Sequence, residues 1–137
     1  MIIKAIEKSL RVAKERGWDK TFWAIDIHDT ITESNYVVGE ITTKFAPMAE
    51  EVLKYLSTRK DICLILYTCS YKKEIKKYQD FFKSKDINFQ YVNKNPEVAN
   101  MSYGYFKDKM YFNVLLDDKA GFDKEKDWKK IKKFFNI

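Results

Sequence analysis

Apolar side chains recur along this chain in two rhythms. Between residues 2 and 16, Ile3, Ile6, Leu10 and Ala13 share one face of a 3.6-residue repeat, while Lys4, Lys8, Arg11 and Glu15 lie elsewhere. That pattern predicts an amphipathic helix, and Gly17 is a natural stop. The run Phe22-Trp23-Ala24-Ile25 is apolar throughout and of strand length, so it predicts a buried strand. It breaks off at Asp26, His28 and Asp29, groups that resist burial without partners. Residues 31–45 show no helical period. Pro47 suits the start of a second helix with Met48, Val52, Tyr55 and Leu56 as its core face.

The pattern then repeats. A second buried strand over 62–67 ends at Thr68-Cys69-Ser70, and a helix over about 71–85 buries Ile75, Tyr78 and Phe82. A short third strand covers 89–92, and the polar stretch 93–109, with Pro96 and Gly104, reads as loop. A fourth strand over 111–116 ends at Asp117-Asp118. Asp123 caps a last helix that buries Trp128, Ile131 and Phe135, with acids in its first turns and lysines at its end, as the helix dipole favours. Strands alternating with helices predict an α/β fold on a parallel sheet with right-handed crossovers. At 137 residues without repeats or a low-complexity linker, the chain reads as a single domain, 1–137.

Composition narrows the class. A hydrophobic content of 45% excludes a disordered chain, and no apolar stretch approaches the ~20 residues that span a bilayer. Residues 1–7 do not resemble a signal peptide, and Cys63 and Cys69 belong to no metal-ligand pair, so a cytoplasmic location is expected and Asn100-Met101-Ser102 is read as an accidental sequon. The formal charge of +6 is nearly all lysine, with Arg11, Arg16 and Arg59 the only arginines. Nucleic-acid readers favour arginine for bidentate contacts, so the charge alone does not single out nucleic acid.

Three of the four strands end in polar groups, which a parallel sheet brings to one edge. Carboxylates sharing a cleft repel one another, and an oxygen-rich site of this kind suits Mg²⁺. Thr68 and Ser70 stand before the third helix, where hydroxyls and unpaired backbone N–H groups hold an anion. Lys109 adds a fixed positive charge ahead of the fourth strand. Carboxylates, Mg²⁺, a lysine and an anion hole together describe phosphoryl transfer.

These residues resemble the motifs of the haloacid dehalogenase superfamily of phosphatases over the whole chain. Its first motif, an apolar strand followed by Asp-x-Asp-x-Thr, is matched by Asp26-Ile27-His28-Asp29-Thr30; its second by Thr68; its third by Lys109; its acidic fourth by Asp117-Asp118. The resemblance implies a three-layer, Rossmann-like parallel sheet of four to five strands, core order 3-2-1-4, with helices on both faces. It implies that Asp26 is the nucleophile, forming an aspartyl-phosphate, and that Mg²⁺ is held by Asp26, the main-chain carbonyl of His28 and Asp117, with Asp118 a second or water-mediated ligand. Thr68, Cys69, Ser70 and Lys109 would hold the phosphoryl group. The expected partner is a phosphorylated small molecule or nucleotide, nucleic acid the less favoured one, and no membrane.

One position departs from the pattern. His28, the chain's single histidine, stands where these phosphatases usually place an aspartate that serves as general acid and base. Histidine can do that work near neutral pH, or the site is a relic that binds phosphate, nucleotide or a partner without turnover. Asp29 also stands where glycine is common. The intervals 31–45 and 93–109 are loop-sized, so no sizeable cap domain is expected, and Tyr36, Tyr103, Tyr105 and Phe106 in them are candidates to stack on a base or sugar. A response-regulator receiver carries its acidic pair after the first strand, not the fourth. A cysteine phosphatase needs an arginine after Cys69, and no arginine follows it.

Overall fold

A computed structural model of the chain describes residues 1–35, 37–98, 104–106 and 108–137. Helix α1 (Ile2–Arg16) leads into strand β1 (Thr21–Ile25), followed by α2 (Ala49–Thr58), β2 (Ile62–Leu66), α3 (Lys72–Ser84), β3 (Tyr91–Val92), β4 (Val114–Leu116), a 3-10 turn (Asp118–Ala120) and α4 (Asp127–Phe135). The four strands form one parallel sheet in the order β3-β2-β1-β4. This is the expected Rossmann-like α/β arrangement. β1 and β2 are buried along their whole length, which explains their unbroken apolar sequence.

The register shows how the layers are filled. On one face, Trp23 lies beside Leu64 and Val114, and Ile25 beside Leu66 and Leu116. These side chains join Ile6 of α1, Val52, Leu53 and Leu56 of α2, Tyr78 and Phe82 of α3, and Trp128 and Ile131 of α4 in one core. Phe22, Cys63 and Ile65 point to the other face and are covered by Tyr91, Val98, Met110 and Tyr111. Among the described residues, then, all four helices bury their apolar stripes on one face. Among the described residues, the third layer is the connection between β3 and β4, whose stretch 93–109 the sequence reads as loop. A polar clasp helps hold it, because Glu97 accepts hydrogen bonds from Lys20 Nζ and Tyr91 Oη, each at 2.7 Å.

Element ends follow local chemistry. Gly17 adopts φ 68° and donates to Ala13 O and Lys14 O, closing α1 where the sequence predicts. α2 differs from expectation. Met48 takes φ 68° as its N-cap and is 37% exposed, and the buried face is Ala49, Val52, Leu53 and Leu56. Ile75 is only half-buried on α3. β4 is shorter than 111–116 because Asn113 pairs with β1 in its own way: its N–H donates to Phe22 O and its side-chain Oδ1 accepts from Phe22 N–H. Among the described residues, no helix is long and apolar enough to cross a membrane.

Candidate functional site

The chain leaves β1 through a tight turn in which Ile27 O accepts from the N–H groups of Thr30, Ile31 and Thr32. Ile27 and Ile31 are fully buried, so the turn is pinned from below and Asp26 and His28 line the cleft above. Asp29 takes φ 59°, the left-handed region that glycine tolerates best and aspartate better than most residues. Asp29 binds Lys124 Nζ at 3.1 Å.

Asp117 and Asp118 meet Asp26 from the end of β4. One carboxylate oxygen from each of the three lies within 4.8 Å of the others. Thr30 joins the two ends. Its hydroxyl donates to Asp26 Oδ2 at 3.2 Å and accepts from Asp118 N–H at 3.0 Å, while Trp128 Nε1 donates to Thr30 O at 2.7 Å. Burial, and then the charge of Asp117, push the Asp26 carboxyl up to about 7. A divalent cation relieves that repulsion, and an all-carboxylate donor set suits Mg²⁺, so the residues fit the ion.

The second strand brings the other wall. Thr68 is buried, and its hydroxyl lies 2.8 Å from Ser70 Oγ and accepts from Ser70 N–H at 3.2 Å. Thr68 and Cys69 line the cleft just before the N-terminus of α3; Ser70 reaches it through Thr68 and is not itself among the described lining residues. Asn93, at the end of β3, clamps Thr68 with both ends of its amide: Oδ1 accepts from Thr68 N–H at 2.8 Å, and Nδ2 donates to Thr68 O at 2.7 Å.

The His28 ring packs edge-on against Tyr78 of α3, with Nε2 2.8 Å from the phenolic oxygen. Tyr78 Oη also accepts from Thr42 N–H at 3.0 Å, and the Thr42 and Thr32 hydroxyls meet at 2.7 Å. The segment after β1 is thus a short flap closed at its base by the Thr32–Phe45 bridge. Its tip is tied to α3, since Gly39 N–H donates to Glu74 Oε2 at 3.0 Å and Lys77 Nζ donates to Gly39 O at 2.8 Å.

The cleft so formed encloses about 690 Å³ and gathers Asp26, His28, Thr68, Cys69, Asp117 and Asp118. Lys109 is not among the described residues lining it. It is exposed on the β3–β4 connection, and the lysine among the described lining residues is Lys119. Of the loop aromatics, Tyr36 and Tyr103 fall outside the described residues, as does the Asn100 sequon. Tyr105 is exposed, and Phe106 packs on Tyr111, away from this cleft. Thr30, Asn93 and Tyr78 had no assigned role from sequence, and only the Thr30 position carried a signal, the motif itself.

No family model matches the chain, and no curated protein does. A solved structure described as the conserved protein coded by a locus from Bacteroides thetaiotaomicron superposes with a TM-score of 0.66, over 85% of this chain and 90% of that one. The two are 22% identical, so the likeness bears on the fold alone.

Proposed function

We propose that this protein is a Mg²⁺-dependent phosphomonoester hydrolase of the haloacid dehalogenase type, working through an aspartyl-phosphate on Asp26. The observation that carries the reading is the convergence of Asp26, Asp117 and Asp118 beside Thr68 and the start of α3 in one cleft. Bound Mg²⁺, held by Asp26 and Asp117 with Asp118 and the His28 carbonyl at hand, would neutralise the carboxylates and the incoming phosphoryl charge.

The protein's own groups then divide the work. Asp26, as an anion, attacks phosphorus in line with the leaving oxygen. Thr68 and the N–H groups opening α3 hold the phosphoryl oxygens, with Asn93 fixing the Thr68 main chain. His28 gives a proton to the leaving oxygen and takes one from the water that hydrolyses the acyl-phosphate. With Nε2 engaged by Tyr78, Nδ1 is the nitrogen left for that exchange. Lys119 is the cleft lysine placed to add positive charge, a role that sequence assigned to Lys109.

The test is turnover of a simple phosphate monoester with millimolar Mg²⁺, comparing the protein with its Asp26→Asn variant. Turnover lost in the variant and on removing Mg²⁺ is expected. A second reading, a phosphate-binding relic, is favoured by the Thr68 hydroxyl being turned onto Ser70. Binding of Mg²⁺ and phosphate without any turnover above that of Asp26→Asn would establish it instead.

A further inference from the structure

We propose that the cleft selects phosphate monoesters whose single phosphoryl group is carried by a flat, uncharged ring; this names a substrate class for the hydrolase reading and rests on it. Beyond the acidic centre, part of the cleft wall is apolar. Val37, Val38, Tyr67 and Tyr71 all line it, yet they are 49, 79, 39 and 69% exposed. Large apolar side chains gathered in one concave place, next to polar groups that fix orientation, mark a ligand subsite rather than a scatter of surface residues.

The wall is also built rather than loose. Val37 and Val38 sit on the flap tip, which Glu74 and Lys77 grip at Gly39 from both its N–H and its carbonyl. Glu74 Oε1 accepts from Tyr71 N–H at 3.2 Å, so one carboxylate fixes both the valine side and the tyrosine side of the subsite. Tyr67 is steadied by Phe112, with ring centroids 6.3 Å apart. A volume of about 690 Å³ holds far more than a phosphoryl group. Aromatic and branched aliphatic surface in that remaining space matches a ring face.

Charge sets the other half of the specificity. Among the described residues lining the cleft, six are carboxylates, Asp26, Asp29, Glu40, Glu74, Asp117 and Asp118, against one lysine, Lys119. The chain as a whole is +6, so the cleft opposes the sign of the molecule around it. One phosphoryl group is accommodated at the acidic centre with its cation. Further phosphates, as in a bisphosphate or a nucleic-acid end, would meet carboxylates that outnumber the cations beside them, Lys119 and the Lys124 paired with Asp29.

Binding of inert phosphonates in Mg²⁺, measured by calorimetry, tests the subsite without relying on turnover. 2-Phenylethylphosphonate is expected to bind at least about tenfold tighter than ethylphosphonate, the order a single ring stacked on aromatic groups supplies. A 5′-phosphorylated oligonucleotide should bind more weakly than the phenylethyl compound. The Val38→Ser/Tyr71→Ala double variant should shrink the ratio between the two phosphonates; misfolding would weaken both alike and leave the ratio standing. Equal affinities, an unchanged ratio in a variant that still binds ethylphosphonate as tightly as the parent, or a preference for the oligonucleotide would overturn the proposal. Ring preference without ester turnover would remove the hydrolase reading and keep the subsite. Turnover without ring preference would do the reverse, and no phosphonate binding at all would remove both.

Discussion

Asp26 concentrates the electrostatics of the site in one group. Its carboxyl is pushed up to about 7 by burial and by Asp117, whereas an unfolded aspartate titrates near about 3.9. Without metal, the folded chain therefore keeps a proton that the unfolded chain releases between those values. The stabilisation from this group is complete below about pH 4 and is lost as pH rises through about 7. Mg²⁺ has to displace that proton, so its affinity should climb with pH over the same window with about one proton released. Calorimetry in buffers of differing ionisation enthalpy reads both quantities, and a Mg²⁺ affinity flat from about pH 5.5 to 8 would count against Asp26 as a ligand. Thr30 offers a second check. Thr30→Val leaves Asp118 N–H without its partner in a half-buried setting, a loss on the order of 1 kcal/mol, and should weaken Mg²⁺ binding. Thr30→Ser keeps the hydroxyl and should recover most of the metal affinity. Equal Mg²⁺ affinities for the Val and Ser variants would refute the link.

Among the elements, the flap and α3 act as one piece. Tyr78→Phe removes the oxygen that receives Thr42 N–H and meets His28 Nε2. The expected cost is on the order of 1–3 kcal/mol in urea unfolding, together with faster amide exchange at 37–42. Unchanged exchange there would mean that the flap is held by Glu74 and Lys77 alone. The same elements show what sequence can reveal. α1 was legible over its whole length because its signals, a repeating apolar stripe and a terminal glycine, are local. The face of α2 differs from the apolar pattern because the bulky Met48 is exposed and Tyr55 packs on the core only partly buried, while Ala49 and Leu53 take fully buried positions. Asp26, Thr68, Asp117 and Asp118 were legible because strand ends in a parallel sheet converge whatever the loops do. Spacing does not say that the β3–β4 connection leaves Lys109 exposed and outside the described cleft lining, and Tyr78 and Asn93 act through contacts far apart in sequence.

Taken whole, the molecule is basic around an acidic cleft. The lysines of the last helical region are partly committed already: Lys124 to Asp29, Lys130 to Asp127 and Lys132 to Glu51. That region is accordingly expected to be a solvated face. A labelled single strand or duplex should show no binding at about 0.15 M salt, and binding that weakens steeply with added salt would contradict this. Mg²⁺ at millimolar levels should raise the melting temperature, since a ligand of the folded state alone stabilises it by mass action.

The covering of the sheet's second face by a connection with no helix among its described residues gives the two cysteines different fates. Cys69 is exposed and should react with a thiol reagent at once. Cys63 is 1% exposed beneath Val98, Met110 and Tyr111, and burial pushes its thiol up to about 12. Its modification must wait for that layer to lift. A layer without a helix among its described residues should detach without melting the helical side, so the slow labelling phase should respond to urea with only a small part of the dependence of global unfolding. If the two dependences coincide, the connection opens only when the whole molecule does. Either way, a pair of thiols on one strand and its exit turn becomes a clock for motion of the layer over the sheet's second face.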